Sequence, residues 1–181
     1  MPTALTLSGS IRKGSYNLKL QAIMNRALEA RGVSVNALNL ADFPMPIFNE
    51  DLEPDHVPEA AGELAKLFGA ADIIFIASPE YNSGATPLIV NTISWLSRQK
   101  HGQFRHAVFG LGAVSSGKYG GVVGIAHLRD TLSKLGALIV PTLLGIGPAS
   151  QAFNEAGELT EPAIIRKVDT MALELTTFRR G

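Results

Sequence analysis

Ser10, Arg12, Ser15 and Asn17 crowd one short segment, Gly9-Ser10-Ile11-Arg12-Lys13-Gly14-Ser15-Tyr16-Asn17. Ser15 or Asn17 can cap a following helix, leaving free backbone N–H groups aimed at an anion. The hydroxyls and the amide add neutral donors, and Arg12 adds a charged fork. The chemistry on offer is phosphate binding. The same residues also suit an ordinary strand–turn–helix junction with a solvated Arg12-Lys13 pair.

A second segment, Ser78-Pro79-Glu80-Tyr81-Asn82-Ser83-Gly84, follows an apolar run at residues 73–77. Such an unbroken run reads as a strand buried on both faces, the kind found in parallel sheets. The loop leaving its carboxyl end lies where open α/β sheets bind ligands. Pro79, Gly84 and Pro87 shape the backbone there, the prolines by fixing φ and the glycine by permitting a turn, while Tyr81 and Asn82 offer a flat ring and an amide. Half-buried loop packing is the plain alternative for Tyr81. A third segment, Ala113-Val114-Ser115-Ser116-Gly117-Lys118-Tyr119-Gly120-Gly121, is rich in glycine and serine.

Other chemistries lack a necessary part. Gly9 to Gly14 has P-loop spacing, but Ser15 stands where the lysine belongs. Gly112 to Lys118 fits better, yet Tyr119 replaces the hydroxyl that would bind magnesium. The dinucleotide fingerprint opened by Gly110-Leu111-Gly112 meets Ser115 in place of its last glycine. There is no Gly-x-Ser-x-Gly elbow. The histidines at 56, 101, 106 and 127 show no metal-ligand spacing and no pairing. No metal is expected. A site so poor in acid–base groups suits a bound cofactor that supplies the reactivity.

The elements that must position these segments alternate along the chain. Strands are expected at residues 4–8, 33–40, 72–77, 106–112 and 138–143. Helices are expected at 17–31, 58–70, 87–97, 122–135 and 161–178. Residues 144–158 read as irregular. Strand–helix alternation indicates a parallel sheet with right-handed crossovers. Five strands suit the flavodoxin-like order 2-1-3-4-5, a three-layer α/β/α sandwich. All three segments then leave neighbouring strands at the point where the chain reverses direction. The connection at 41–57, with Pro44, Pro46 and Pro54 among Phe43, Ile47 and Phe48, is long enough to be a functional or interface element.

Composition narrows the setting. The chain of 181 residues is expected to form a single domain over 1–181. Lys+Arg and Asp+Glu both number 16, so no excess charge invites nucleic acid or an anionic membrane. The absence of cysteine rules out disulfides, thiolate nucleophiles and Cys-based metal sites. With no leader-like amino terminus and no membrane-length apolar run, a cytoplasmic location is expected.

The chain resembles the NAD(P)H-dependent FMN reductase family, a flavodoxin-like group that includes quinone, azo-dye and chromate reductases. The resemblance is carried by Gly9-Ser10-x-Arg12-x-x-Ser15-x-Asn17 and by Pro79-Glu80-Tyr81-Asn82 with Pro87, Asn91 and Trp95. Ser115-Ser116-Gly117 with Gly120-Gly121 also fits. It implies noncovalent FMN, with Ser10, Arg12, Ser15 and Asn17 on the phosphate. Pro79, Glu80, Tyr81, Asn82 and Gly84 would flank the isoalloxazine, and Ser115, Ser116 and Gly117 its pyrimidine side.

The implied reaction is ping-pong. NAD(P)H gives hydride to flavin N5 and leaves, and a quinone, flavin or azo compound then takes the electrons from the same face. No side chain is expected to act as a catalyst. A homodimer or homotetramer is implied. A flavodoxin-like electron carrier or a flavin-binding sensor, without nicotinamide turnover, is the alternative. The family commonly places Lys before the helix-three Asn and Asp before the Trp, where this chain has Val90 and Ser94.

Overall fold

The apolar run near position 75 folds as β3 (Ile73–Ala77), buried along its whole length. A strand covered on both faces has no polar side to present, so no alternation marks it. The computed structural model describes residues 1–52, 57–100 and 102–179. It places β3 at the centre of a five-stranded parallel sheet of order β2-β1-β3-β6-β7. The other strands are β1 (Thr3–Ser8), β2 (Ser34–Leu38), β6 (Val108–Val114) and β7 (Leu138–Ile146). The register runs Leu5 to Ile74 to Phe109 across the middle. This is the flavodoxin-like arrangement expected from the sequence.

Alternate residues of the strands feed two cores. On one face, Phe75 and Val108 meet Leu20, Met24 and Leu28 of α1 (Tyr16–Glu29) and Met171 and Leu175 of α6 (Pro162–Thr177). On the other, Ile74, Ile76 and Phe109 meet α2 (Glu59–Ala70), α3 (Pro87–Ser97) and α4 (Val122–Lys134). Burying one large side chain in either core contributes roughly 1.5–3 kcal/mol. Among the described residues no helix is long and apolar enough to cross a membrane.

Several boundaries differ from the sequence reading. β6 starts and ends two residues later than 106–112, and β7 runs three residues past 143. The stretch 144–158 is therefore not wholly irregular. It holds the end of β7, a short helix α5 (Ala149–Ala152), and a bridge between Phe153 and Leu159. Gly145, Gly147 and Pro148 made β7 look short, because neither residue type favours a strand interior. Pro141 sits where the register to β6 shifts, on the outer edge of the sheet. β2 is only Ser34–Leu38, and Leu40–Asp42 instead forms a 3-10 turn. His56, His101 and Pro54 lie outside the described residues.

The amino end of the sheet is fastened by Asp72. Its Oδ2 accepts from the Thr3 N–H at 2.8 Å and from the Thr3 hydroxyl at 3.1 Å. The Thr3 N–H holds this carboxyl below its ordinary pKa, helped by the Thr3 hydroxyl and the charges of His106 and Arg179, against partial desolvation. A depressed carboxylate pKa stabilises the fold above the unfolded-state value and loses that contribution as pH falls through the folded-state value. Asp72→Ala is expected to cost under about 1 kcal/mol at pH 7, because the pair is solvent-screened. The difference should shrink as pH falls below the ordinary carboxylate range and through the depressed folded-state value, where the carboxyl becomes protonated in both states. Urea denaturation of both proteins across that range measures it.

Candidate functional site

The three loops singled out in the sequence leave the carboxyl ends of β1, β3 and β6, which are neighbours in the sheet. The first loop turns at Gly9, whose N–H donates to the Ala77 carbonyl at 2.9 Å. Ser15 is the residue that caps α1, its Oγ accepting from the Asn17 N–H at 3.3 Å. Ser10 Oγ accepts from the Arg12 N–H at 3.3 Å. Among the described residues the N–H groups of Lys13, Gly14 and Tyr16 find no acceptor. Open donors at a helix amino end, where the helix dipole is positive, favour an anion. Arg12 is exposed and forms no ion pair among the described residues.

The second loop is a hairpin that the sequence reading missed. β4 (Glu80–Tyr81) pairs with β5 (Gly84–Ala85) through a two-residue turn. Both turn residues have positive φ, 50° at Asn82 and 62° at Ser83. That is the geometry of a type I′ turn, which matches the strand twist. Asn tolerates the left-handed region well, but Ser is an unusual occupant, so the Asn-Gly signal of such hairpins is absent here. The Glu80 carboxylate reaches across to α4, where Oε2 accepts from the Gly124 N–H at 2.7 Å. Tyr81 is 53% exposed.

The third loop begins at Ser115, whose N–H donates to the Ile146 carbonyl at 3.1 Å and whose carbonyl accepts from Ala149 at 2.9 Å. It closes through Gly120. A Cβ there would lie 2.3 Å from the Ile146 nitrogen, and φ is +63°, so no side chain is accommodated.

These loops enclose one cavity of about 310 Å³, at the lower end of the roughly 300–1,000 Å³ range of cofactor pockets. The first loop contributes Ser10, Arg12, Ser15 and Asn17 to its lining, the second Pro79, Glu80 and Tyr81, and the third Ser115 and Ser116. Asn82, Gly84 and Gly117 lie outside the lining. Asn82 and Gly84 serve the hairpin, and the Gly117 N–H is turned to Ser115 Oγ at 3.1 Å. Tyr16, Val114 and Ala149 also line the cavity and were not anticipated. Ala149 comes from the stretch read as irregular, where no residue type marked a ligand.

The NADPH-dependent FMN reductase family matches residues 2–151 of the chain. The chain belongs to this family. It is 32% identical over 161 residues to an NAD(P)H-dependent FMN reductase of Pseudomonas aeruginosa, covering 87% of this chain and 84% of that protein. It is 29% identical over 178 residues to a quinone reductase of Escherichia coli, covering 96% and 92% respectively. The flavoenzyme NAD(P)H:(acceptor) oxidoreductase FerB of Paracoccus denitrificans shares the fold. Its TM-score is 0.84 at 24% identity, over 99% of this chain and 100% of that one. The protein is an oxidoreductase of the FMN reductase family, with FMN as cofactor and NAD(P)H as electron donor.

Membership gives the remaining motif residues a physical meaning. Asn91 Nδ2 and Trp95 Nε1 both donate to the Pro46 carbonyl, at 2.9 and 2.8 Å. Asn91 Oδ1 accepts from the Phe48 N–H at 2.7 Å, and the Phe48 ring meets Trp95 edge-on at 5.0 Å. These two residues pin the strap at 43–52 onto α3. Val90 is 53% exposed, and Ser94 turns its hydroxyl back to the Val90 carbonyl at 2.9 Å.

The first and second loops meet at Gly9. The Thr86 hydroxyl, at the amino end of α3, donates to the Gly9 carbonyl at 2.9 Å. A Cβ on Gly9 would stand 2.6 Å from Ile89 Cγ1 and 2.9 Å from Thr86 Oγ1. Gly9→Ala is therefore expected to destabilise the protein by about 1–3 kcal/mol through overpacking and to weaken flavin retention. Chemical denaturation and flavin titration of the same preparation test both effects.

Proposed function

We propose that this chain is an NAD(P)H-dependent FMN reductase that passes electrons to a small acceptor such as a quinone, a flavin or an azo compound. The observation that carries this reading is the concentration of open donors at one end of a single cavity. The free N–H of Tyr16 at the start of α1, the Ser10 and Ser15 hydroxyls and Arg12, which has no ion-pair partner among the described residues, are the groups that support a phosphate cradle at that end. The residues present fit FMN, a phosphate ester with a flat ring system.

When bound, FMN supplies hydride acceptance from the nicotinamide and electron delivery to the acceptor, in two half-reactions at one face. In this reading Ser10, Arg12 and Ser15 hold the phosphate. Pro79 and Tyr81 flank the ring from the hairpin, with Asn82 and Gly84 setting the turn. Ser115 and Ser116 face the polar edge of the ring, and Gly117 shapes the loop that presents them. No acid–base side chain is assigned. The fixed backbone dipoles of the loops are the groups that stabilise added charge, without reorganisation.

We further infer a cytoplasmic homo-oligomer. Ile47 on the strap is 87% exposed, next to Phe48, whose ring packs on Trp95 of α3. An apolar residue held outward on a pinned strap suits a subunit contact.

Two measurements test the reading. An anaerobic visible spectrum of the protein reconstituted with FMN should bleach rapidly on adding NADPH or NADH, and recolour with a quinone. A bound flavin that stays oxidised with both nucleotides would instead mark an electron carrier or sensor. Replacing Arg12 and Ser15 together should lower FMN affinity by about tenfold or more, the order expected for charge-assisted hydrogen bonds, while the protein remains folded by circular dichroism. Unchanged affinity in that double variant would remove the phosphate assignment.

A further inference from the structure

Val114, the last residue of β6, lies beyond the end of its neighbour strand. β3 pairs with β6 as far as Ala77 opposite Gly112, and the Ser78 N–H then donates to the Gly112 carbonyl at 2.8 Å. Residues two apart on a strand direct their backbone groups to the same side. Val114 thus turns its N–H and carbonyl towards a strand that has already bent away into the second loop.

The side chain of Asn17 takes the vacated place. Its Oδ1 accepts from the Val114 N–H at 2.9 Å, and its Nδ2 donates to the Val114 carbonyl at 3.0 Å. A primary amide offers the donor and acceptor that a peptide edge offers, so Asn17 adds one side-chain rung to the β-ladder. It is 3% exposed, and its acceptor and one of its two amide hydrogens are committed to Val114.

We propose that Asn17 is a positioning residue, which ties the third loop to the phosphate-binding turn, and not a phosphate ligand. The proposal rests on the FMN reading of the cavity. Asn17 stands in the first turn of α1, directly after the free N–H of Tyr16. Val114 stands directly before Ser115 and Ser116, which line the same cavity. On its other side Ser115 is held through Ile146 and Ala149. Without Asn17 the third loop loses its hydrogen bonds to α1 and keeps those to Ile146 and Ala149, and two buried backbone groups lose their partner. The consequence reaches the part of the ligand far from the phosphate.

Riboflavin, which lacks the phosphate, separates the two roles. FMN and riboflavin are titrated by fluorescence into wild type, Asn17→Ala and Arg12→Ala, at a temperature where circular dichroism shows each to be folded. Asn17→Ala is expected to weaken both flavins by a similar factor, roughly tenfold for one lost pair of buried hydrogen bonds. Arg12→Ala should weaken FMN and leave riboflavin unchanged. At FMN saturation, the visible spectrum should be shifted in Asn17→Ala and unaltered in Arg12→Ala, because only the former disturbs the ring's surroundings. If Asn17→Ala does not fold, Asn17→Ser, too short to span to Val114, takes its place in the same comparison. Loss of FMN affinity alone, with an unshifted saturated spectrum, would make Asn17 a phosphate ligand and overturn the proposal. A lowered melting temperature with both affinities unchanged would also overturn it, leaving Asn17 a purely structural residue. Failure of wild type to bind either flavin would instead overturn the FMN reading itself.

Discussion

Every buried backbone donor and acceptor at the carboxyl end of a parallel sheet must find a partner once the strands stop at different heights. In this protein the strands do stop at different heights, and the mismatch is closed by other parts of the site. Ser78 satisfies Gly112, Asn17 satisfies Val114, Thr86 satisfies Gly9, and Glu80 satisfies the first turn of α4. The last three closures tie each loop to another loop or to the element that the other loop adjoins. The first loop is bonded to the second through Gly9 and Thr86, and to the third through Asn17. The second is bonded to α4, which the third loop leads into, through Glu80. The cavity is thus framed by a closed set of hydrogen bonds before any ligand arrives. Preorganisation of that kind lowers the ordering cost of binding and fixes the dipoles that face added charge.

The same necessity explains which parts of the molecule were legible in the sequence. The buried run of β3, the helical face of Leu20, Met24 and Leu28, and the glycines and serines after β1 and β6 reflect local rules, and they carried the sheet order and the cavity's position. The hairpin at Glu80–Ala85 was not legible, because Ser83 occupies a left-handed position usually marked by glycine. The true length of β7 was hidden by Gly145 and by Gly147 and Pro148 just beyond it. The engagement of Asn17 with Val114 joins residues far apart in the chain, and no spacing rule reports it. Sequence chemistry placed Asn17 at the site, but which partner its amide takes depends on where β3 ends.

Motif residues can also serve the scaffold. Asn91 and Trp95 carry part of the family signature, yet they converge on the carbonyl of Pro46. In this chain they hold a strap containing Pro44 and Pro46 against the rest of the sheet-covering layer at α3. Residues of a signature can thus hold the frame instead of lining the cavity, and only geometry sorts them.

The outer strand β7 has a bearing on how molecules of this protein can associate. Its exposed edge is interrupted by Pro141, which has no N–H to donate, and the adjacent Thr142 has its N–H and hydroxyl taken by the Glu174 carboxylate at 3.0 and 2.9 Å. A register shift against β6 bends the strand at the same place. These features remove the template on which a second sheet would lengthen the first. Edge-to-edge lengthening of the sheet is thus hindered on the β7 side in the native state, whatever surface a second copy of the chain uses.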